Sequence, residues 1–402
     1  MLRRVGETID PKGAVVKIKD ASFPAPFASE LEYNSPVHGS WNIVHTGMQV
    51  PESIQIYVCA DNCMRGVVLT AAEMNAADRF SFVIVEEQDF LNSNLEDITI
   101  EGVTDVLNKR GDHPKAVLLF TVCLHHFVGS NLDYIYSELG HRFPDICFIR
   151  CYMDPIMQKH GLTPDQKLRK AMYDPLPACE PDRKTVSIFG SDFALDESSD
   201  IKRLLKRYEY TVRELPACKI WQDLLDMSKG SLFIDCYPAG KYGMEAQAER
   251  LGRKHLYLPG SFDYDEIEKQ LKQLTDILGL PELTGEELAR ERESCEEALA
   301  KAKTLIKDMP ITLDYLYHPR PLGLAKLLLT HGFCVKAVYL DGISPEEKEE
   351  FLWLQKHAPE LELIATIQVK MRVLPRGGSK EVLAIGQKAA YFSRSRHFVN
   401  LV

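Results

Sequence analysis

Apolar and polar positions along the chain repeat one arrangement: an unbroken apolar run, a polar or glycine-bearing turn, then a stretch whose apolar residues recur every three or four positions. "KAVLLFTVC" (115–123) predicts a buried strand, and "GSNLDYIYSELGHRF" (129–143) predicts a helix with Leu132, Ile135, Tyr136 and Leu139 on one face. "DICFIRCYM" (145–153) predicts the next strand. Upstream, "SIQIYV" (53–58) predicts a strand and "MRGVVLTAAEMNAADRF" (64–80) a helix. A second run opens at "PDRKTVSIFGSDFALDESSDIKRLLKRYEYTV" (181–212) and continues through "GSLFIDCYPAG", the helical "YGMEAQAERLGRK" and the short strand "HLYLP". After the charged helix "TGEELARERESCEEALAKAKTLIKDM" (284–309), "ITLDYLYHPRPLGLAKLLLTHGFCVKAVYL" repeats strand, turn, helix and strand.

Strands alternating with helices build right-handed βαβ units and parallel sheets. The expected fold is therefore α/β, with three Rossmann-like domains at residues 1–180, 181–305 and 306–402 packed around a central cleft. Ligands of such folds sit at the carboxyl ends of strands, where "IFGSDFALD" and "YHPRPLG" fall. Neither segment is G-x-G-x-x-G, and no G-x-x-x-x-G-K-[ST] occurs, so no bound nucleotide is expected on this chain.

Composition narrows the class. A chain of 402 residues with 45% hydrophobic residues can bury two or three globular cores. No run of about 18 apolar residues suggests a membrane span, and no apolar segment of a secretory signal follows the arginines of "MLRRVGETIDPKG". A soluble, cytoplasmic protein is expected. The formal charge of −10 argues against nucleic acid as a partner. In a reducing compartment, ten cysteines read as packing thiols or metal ligands before they read as disulfides.

"YVCADNCMRG" (57–66) places Cys59 and Cys63 between an apolar run and a predicted helix, and Cys123 ends the next clear strand. If those strand ends share one edge of a sheet, three thiols converge. A thiol at a helix N-terminus ionises more readily, which favours metal ligation. Three or four thiolates suit an iron–sulfur cluster or zinc. The competing reading is simple packing, because cysteine is among the most buried residue types. Cys147, Cys151, Cys179, Cys218, Cys295 and Cys334 take that reading.

These segments also carry a family resemblance. "HGSWNIVHTG" with "IQIYVCADNC", followed by "AVLLFTVCLHHFVGSNLDYIYSEL", resembles the first domain of the nitrogenase component 1 superfamily. "TVCLHHFVGSN" is similar to that family's strand-end cysteine pattern, which implies Cys123 as a cluster ligand, and "YVCADNC" implies Cys59. "VSIFGSDFALDESSDIKRLLKRYEYTV" and "PLGLAKLLLTHGFCVKAVYL" are similar to its second and third domains. The family's earlier cluster cysteine has no counterpart in "EYNSPVHGSWN", and Cys63 is the extra thiol that stands in for it. The resemblance thus implies a [4Fe–4S] cluster on Cys59, Cys63 and Cys123, with Asp61, a partner residue or a cluster shared across a dimer completing the set. Cys236 stands where catalytic nitrogenase subunits hold a large metallocofactor, but Pro238 and Ala239 depart from that pattern.

The resemblance further implies a reductase subunit that receives electrons from an ATP-driven iron–sulfur reductase protein. It pairs with a homologous chain or itself, and reduces a small-molecule or tetrapyrrole-like substrate. His38, His45, His125 and His126 are candidates to tune a cluster or supply protons; Arg320, Arg394 and Arg396 could face an anionic substrate. Two alternatives stay open: a scaffold for metallocluster assembly, and a cluster-free α/β protein that binds an organic ligand or zinc.

Overall fold

In the computed structural model, residues 13–28, 42–92, 94–154, 161–372 and 381–400 are described; His38 lies outside them. The chain divides into two compact units, one running from Asn34 to Leu258 and the other joining residues up to Tyr33 with those from Pro259 on. No helix among the described residues is long and apolar enough to cross a membrane.

Strand β1 (Val15–Lys17) opens the described chain. The Asn34–Leu258 unit follows with α1 (Ile43–Met48), β2 (Ser53–Cys59), α2 (Asp61–Glu73), β3 (Phe80–Ile84), α3 (Glu87–Leu91), α4 (Leu95–Arg110), β4 (Ala116–Val122), α5 (Cys123–Phe127), α6 (Leu132–Arg142), β5 (Cys147–Met153) and α7 (Pro164–Met172). It continues with β6 (Asp182–Phe189), α8 (Asp200–Arg207), β7 (Thr211–Glu214), α9 (Trp221–Asp226), β8 (Gly230–Asp235), α10 (Lys241–Leu251) and β9 (Lys254–Tyr257). Two parallel four-stranded sheets result, in the orders β3-β2-β4-β5 and β7-β6-β8-β9.

Every residue of β2 and β4 is buried, as central parallel strands covered on both faces require. Ile54, Ile56 and Val58 face one core with Val117 and Leu119, while Tyr57, Cys59, Leu118 and Phe120 face another. Tyr57 stacks on Phe120 with ring centroids 4.3 Å apart. The helix predicted over 64–80 differs in extent: α2 starts at Asp61 and stops at Glu73. Asn75 adopts a positive φ of 50°, which breaks the helix, and Phe80 then begins the edge strand β3.

The second unit contains α11 (Tyr264–Leu278), α12 (Gly285–Ile306), β10 (Pro310–Asp314), α13 (Pro321–Thr330), β11 (Cys334–Tyr339), α14 (Lys348–His357), β12 (Glu362–Ile364), β13 (Leu383–Ile385), α15 (Gln387–Ser393) and β14 (His397–Val399). Its sheet runs β1-β12-β11-β10-β13-β14 and is parallel except for β1, which pairs antiparallel with β12. β1 therefore joins the sheet of the C-terminal segment, although residues 1–180 read together in the sequence. The charged helix is α12, capped reciprocally by Thr284 and Glu287. None of its residues is fully buried, and Leu299, Ala302 and Ile306 rest against the core.

A buried guanidinium ties α7 to the second sheet. Arg169 is 2% exposed and donates to Asp165 Oδ2 at 3.1 Å, to Asp192 Oδ1 at 2.7 Å and to the Gly190 carbonyl at 2.8 Å, while lying over the Tyr237 ring. Thr46 of α1 donates to Asp165 Oδ1 at 3.0 Å, which brings α1 into the same network. Replacing Arg169 by alanine leaves Asp165 buried without its cation and is expected to cost about 3–5 kcal/mol, measurable by urea unfolding.

Candidate functional site

In a parallel sheet the ligand crevice opens where successive connections leave in opposite directions. In the first sheet β2 leads to β3 on one side and β4 to β5 on the other, so the crevice lies between the carboxyl ends of β2 and β4. Tyr57 is level with Phe120, which brings Cys59, the last residue of β2, beside Cys123, the first residue after β4. Cys63 occupies the first turn of α2, its N–H bonded to the Ala60 carbonyl at 2.9 Å. The structure thus sets the three thiols predicted from the sequence around one sheet edge.

Their surroundings differ. Cys59 is fully buried, Cys123 is half-buried and Cys63 is exposed. Burial pushes the Cys59 thiol up to about 12, with the charges of Cys63 and Asp61 adding to the effect. Cys123 is also pushed up, first by burial and then by Asp154 and Cys63. Without a bound cation these groups are therefore thiols. No cluster of three or more histidine, cysteine or acidic side chains among the described residues is arranged to hold a single metal ion. The donor chemistry of the edge, two thiols at neighbouring strand ends and one on an adjoining helix, fits an iron–sulfur cluster, whose several irons do not require one converging ligand sphere.

The histidines divide into distinct roles. His125 is 2% exposed; its Nδ1 accepts from the Val122 N–H at 3.3 Å, which leaves Nε2 to donate to Thr99 Oγ1 at 3.2 Å. Burial pushes its pKa down to about 4. It is a neutral ring that caps α5 and holds it to α4, not a proton source facing the edge. His126 pairs through Nδ1 with Asp154, a buried carboxylate directly after β5, and lies parallel to Tyr152. Asp154 escaped the sequence reading; its signal was an acidic residue immediately after the strand "CFIRCYM". His45 lies on α1, bonded through Nδ1 to Asn42 Oδ1 at 2.8 Å. Arg394 and Arg396 are exposed.

Cys236 follows β8 at the crevice of the second sheet, between β6 and β8. Burial raises its thiol strongly, and the carboxylates of Asp235 and Glu214 add to this. Asp235 is completely buried beside Gly190, which has φ +88°; a Cβ on Gly190 would overlap the Asp235 carboxylate. The third sheet repeats this arrangement between β10 and β13. Asp314 accepts N–H bonds from Leu316 at 2.8 Å, Tyr317 at 3.2 Å and Ala389 at 2.7 Å, and Gly386 has no room for a Cβ beside it. At the second and third crevices a buried carboxyl group of the chain itself packs against a positive-φ glycine. The first crevice carries thiols instead.

Residues 103–399 match the family described as nitrogenase component 1 type oxidoreductase. The chain belongs to this family. The match to the nitrogenase component 1 type includes Cys123 and Cys236, whereas Cys59 and Cys63 precede it. Among solved structures, nitrogenase Cp1 at pH 6.5 is similar with a TM-score of 0.64 and 11% identity, over 93% of this chain and 86% of that one. Nitrogenase Cp1 at pH 5 is similar with a TM-score of 0.59 and 13% identity, over 97% and 88% of the two chains. No curated protein matches the chain. At these identities the structural likeness establishes the fold of a nitrogenase component 1 type protein.

Two measurements check this description of the edge. In metal-free protein, iodoacetamide is expected to label Cys63 and Cys295 roughly tenfold or more faster than Cys59, read by mass spectrometry of timed digests. The His125 ring titrates near 6.5 when unfolded and near 4 when folded. Stability should therefore fall as pH drops through that interval, by about 3 kcal/mol in full, and His125→Gln should remove this component from pH-dependent unfolding curves.

Proposed function

We propose that this chain is a nitrogenase-like reductase subunit carrying an iron–sulfur cluster on Cys59, Cys63 and Cys123. The observation that supports this most is that Cys59 ends β2 and Cys123 directly follows the adjacent parallel strand β4, both at the crevice of the first sheet. When bound, such a cluster supplies one-electron transfer. The chain's own residues supply the setting. Cys59 lies in an apolar core that excludes water, Cys63 stands exposed on the first turn of α2 with its thiol raised by burial, and the His126 and Asp154 pair holds a proton at Nδ1 near Cys123. Asp61 on that same turn, a partner residue or sharing across a dimer completes a four-iron set.

The electrons come from a separate ATP-driven iron–sulfur reductase protein, as family membership suggests, and the cytoplasm suits such a partner. A homologous chain or a second copy completes the assembly. The substrate is a small molecule, and a tetrapyrrole is the larger possibility that the family offers. Cys236 lies at the crevice of a different sheet, between β6 and β8, and a second metallocofactor on that residue is not part of the proposal.

The deciding measurement is iron and acid-labile sulfide per chain in anaerobically purified protein, with electron paramagnetic resonance spectra before and after reduction. Two irons per chain are expected for one four-iron cluster shared by a dimer, and four for a cluster in each chain. Cys59→Ala and Cys123→Ala should each abolish the cluster absorbance, while Cys295→Ala, on an exposed thiol, should leave it intact. No iron after reconstitution with iron and sulfide overturns the proposal and leaves a cluster-free α/β binding protein. Transfer of the cluster to an acceptor without turnover makes the chain an assembly scaffold.

A further inference from the structure

The unit that includes Pro259–Val402 contains a buried cluster in which acids outnumber bases. Arg320, 1% exposed, donates through Nη1 to Glu266 Oε1 at 2.7 Å and to the Gly260 carbonyl at 2.6 Å. Its Nη2 donates to Glu266 Oε2 at 2.9 Å, Glu350 Oε1 at 3.0 Å and the Glu346 carbonyl at 3.1 Å. The guanidinium is thus committed to the protein's own carboxylates, which removes it as a contact for an anionic substrate. Arg320 Nε and Glu350 Oε2 are both buried without a hydrogen-bond partner among the described residues.

Glu347, also 1% exposed, ends the short 3-10 turn Pro345–Glu347 and accepts the N–H groups of Leu322 at 2.7 Å and Gly323 at 3.0 Å, in the first turn of α13. Among the described residues it forms no ion pair. Three carboxyl groups, on Glu266, Glu347 and Glu350, face one guanidinium. Glu266 is partly open to solvent and is also held by Ser261 and Gln270, so it remains the ionised partner of Arg320. The other groups nearby bring no compensating charge. His318 is half-buried and accepts the Arg320 backbone N–H at 3.0 Å, Lys326 is engaged by Asp263 at 3.1 Å, and the Glu346 carboxylate is held by Ser344. Ionising Glu347 as well as Glu350 would bury an uncompensated negative charge, which costs several times the worth of an ordinary hydrogen bond.

We propose that this cluster is a proton-dependent latch: Glu347 holds a proton while it caps α13, and losing that proton releases the Ser344–Lys348 segment from the start of α13. Burial pushes the Glu347 carboxyl from 4.5 up to about 8, with Glu350 adding to the rise and the two amides and Arg320 opposing it. The folded state therefore keeps a proton that the released segment gives up. The latch is strongest at acid pH, weakens as pH rises above about 4.5 and reaches its floor above about 8. The segment connects β11 to α14, so its release acts on the carboxyl edge of the third sheet.

Glu347→Gln tests the latch in the full-length chain, because the amide carbonyl can accept the same two N–H bonds and carries no ionisable proton. Hydrogen exchange of the 322–324 and 344–350 amides, corrected for intrinsic rates, is expected to lose protection tenfold or more between pH 6 and pH 9 in the wild type. In the variant the loss should vanish, and its thermal midpoint at pH 9 should exceed that of the wild type. Equal pH profiles in the two proteins, or a variant less stable than wild type at pH 9, overturn the proposal. Glu350→Gln removes the repelling charge by a second route and should shrink the wild-type loss; an unchanged loss in that variant also overturns it.

Discussion

The candidate site depends on a single geometric constraint: in a parallel sheet every strand ends on the same edge. Each strand that pairs in parallel must return through a crossover, so residues that terminate neighbouring strands become neighbours without any contact between their own sequence segments. Cys59 and Cys123 are far apart along the chain, yet the β2 and β4 register sets them side by side. The same constraint aligns the starts of α2 and α5 with that edge, because the helices follow the strands directly. Nothing about the thiols themselves brings them together; the hydrogen-bond ladder does.

Both compact units carry a buried arginine at the carboxyl side of a sheet, and in both it meets more acids than it can neutralise. Arg169 bonds Asp165 and Asp192 close to Asp235, whose Oδ2 has no hydrogen-bond partner among the described residues and whose pKa burial raises to about 7. Arg320 bonds Glu266 and Glu350 close to Glu347. Apolar residues of similar volume would pack such positions at no loss of stability, so these clusters specify how helices seat on strand ends more than they stabilise the fold. They also make protons part of the folded structure, since an unpaired buried carboxylate is too costly to leave ionised.

Much of this architecture was legible in the chain. The strands β4, β6 and β10 and the helices α6 and α13 follow from apolar runs and helical spacing, because burial on one face imposes a period that the residues must display. The less legible parts had competing local signals. β3 was hidden because "MNAADRF" continues a helix-compatible composition, and only the positive φ of Asn75 ends α2 early. β1 is a three-residue strand with no long apolar run to announce it, and its pairing with β12 is a long-range choice. His125 and His126 are adjacent and look equivalent, yet one is sealed under α4 and the other faces Asp154.

The sequence by itself determined the α/β class, the absence of a glycine-rich nucleotide loop and the identity of the thiols that end strands, because these depend on local composition and period. Only the tertiary structure decided which strand ends share a crevice, which of the two histidines keeps an accessible ring, and that Arg320 serves an internal acid cluster. Those outcomes rest on strand order and burial, which are set by contacts between residues distant in the chain. A local pattern carries no record of the charge, amide or carboxyl group that folding places beside it.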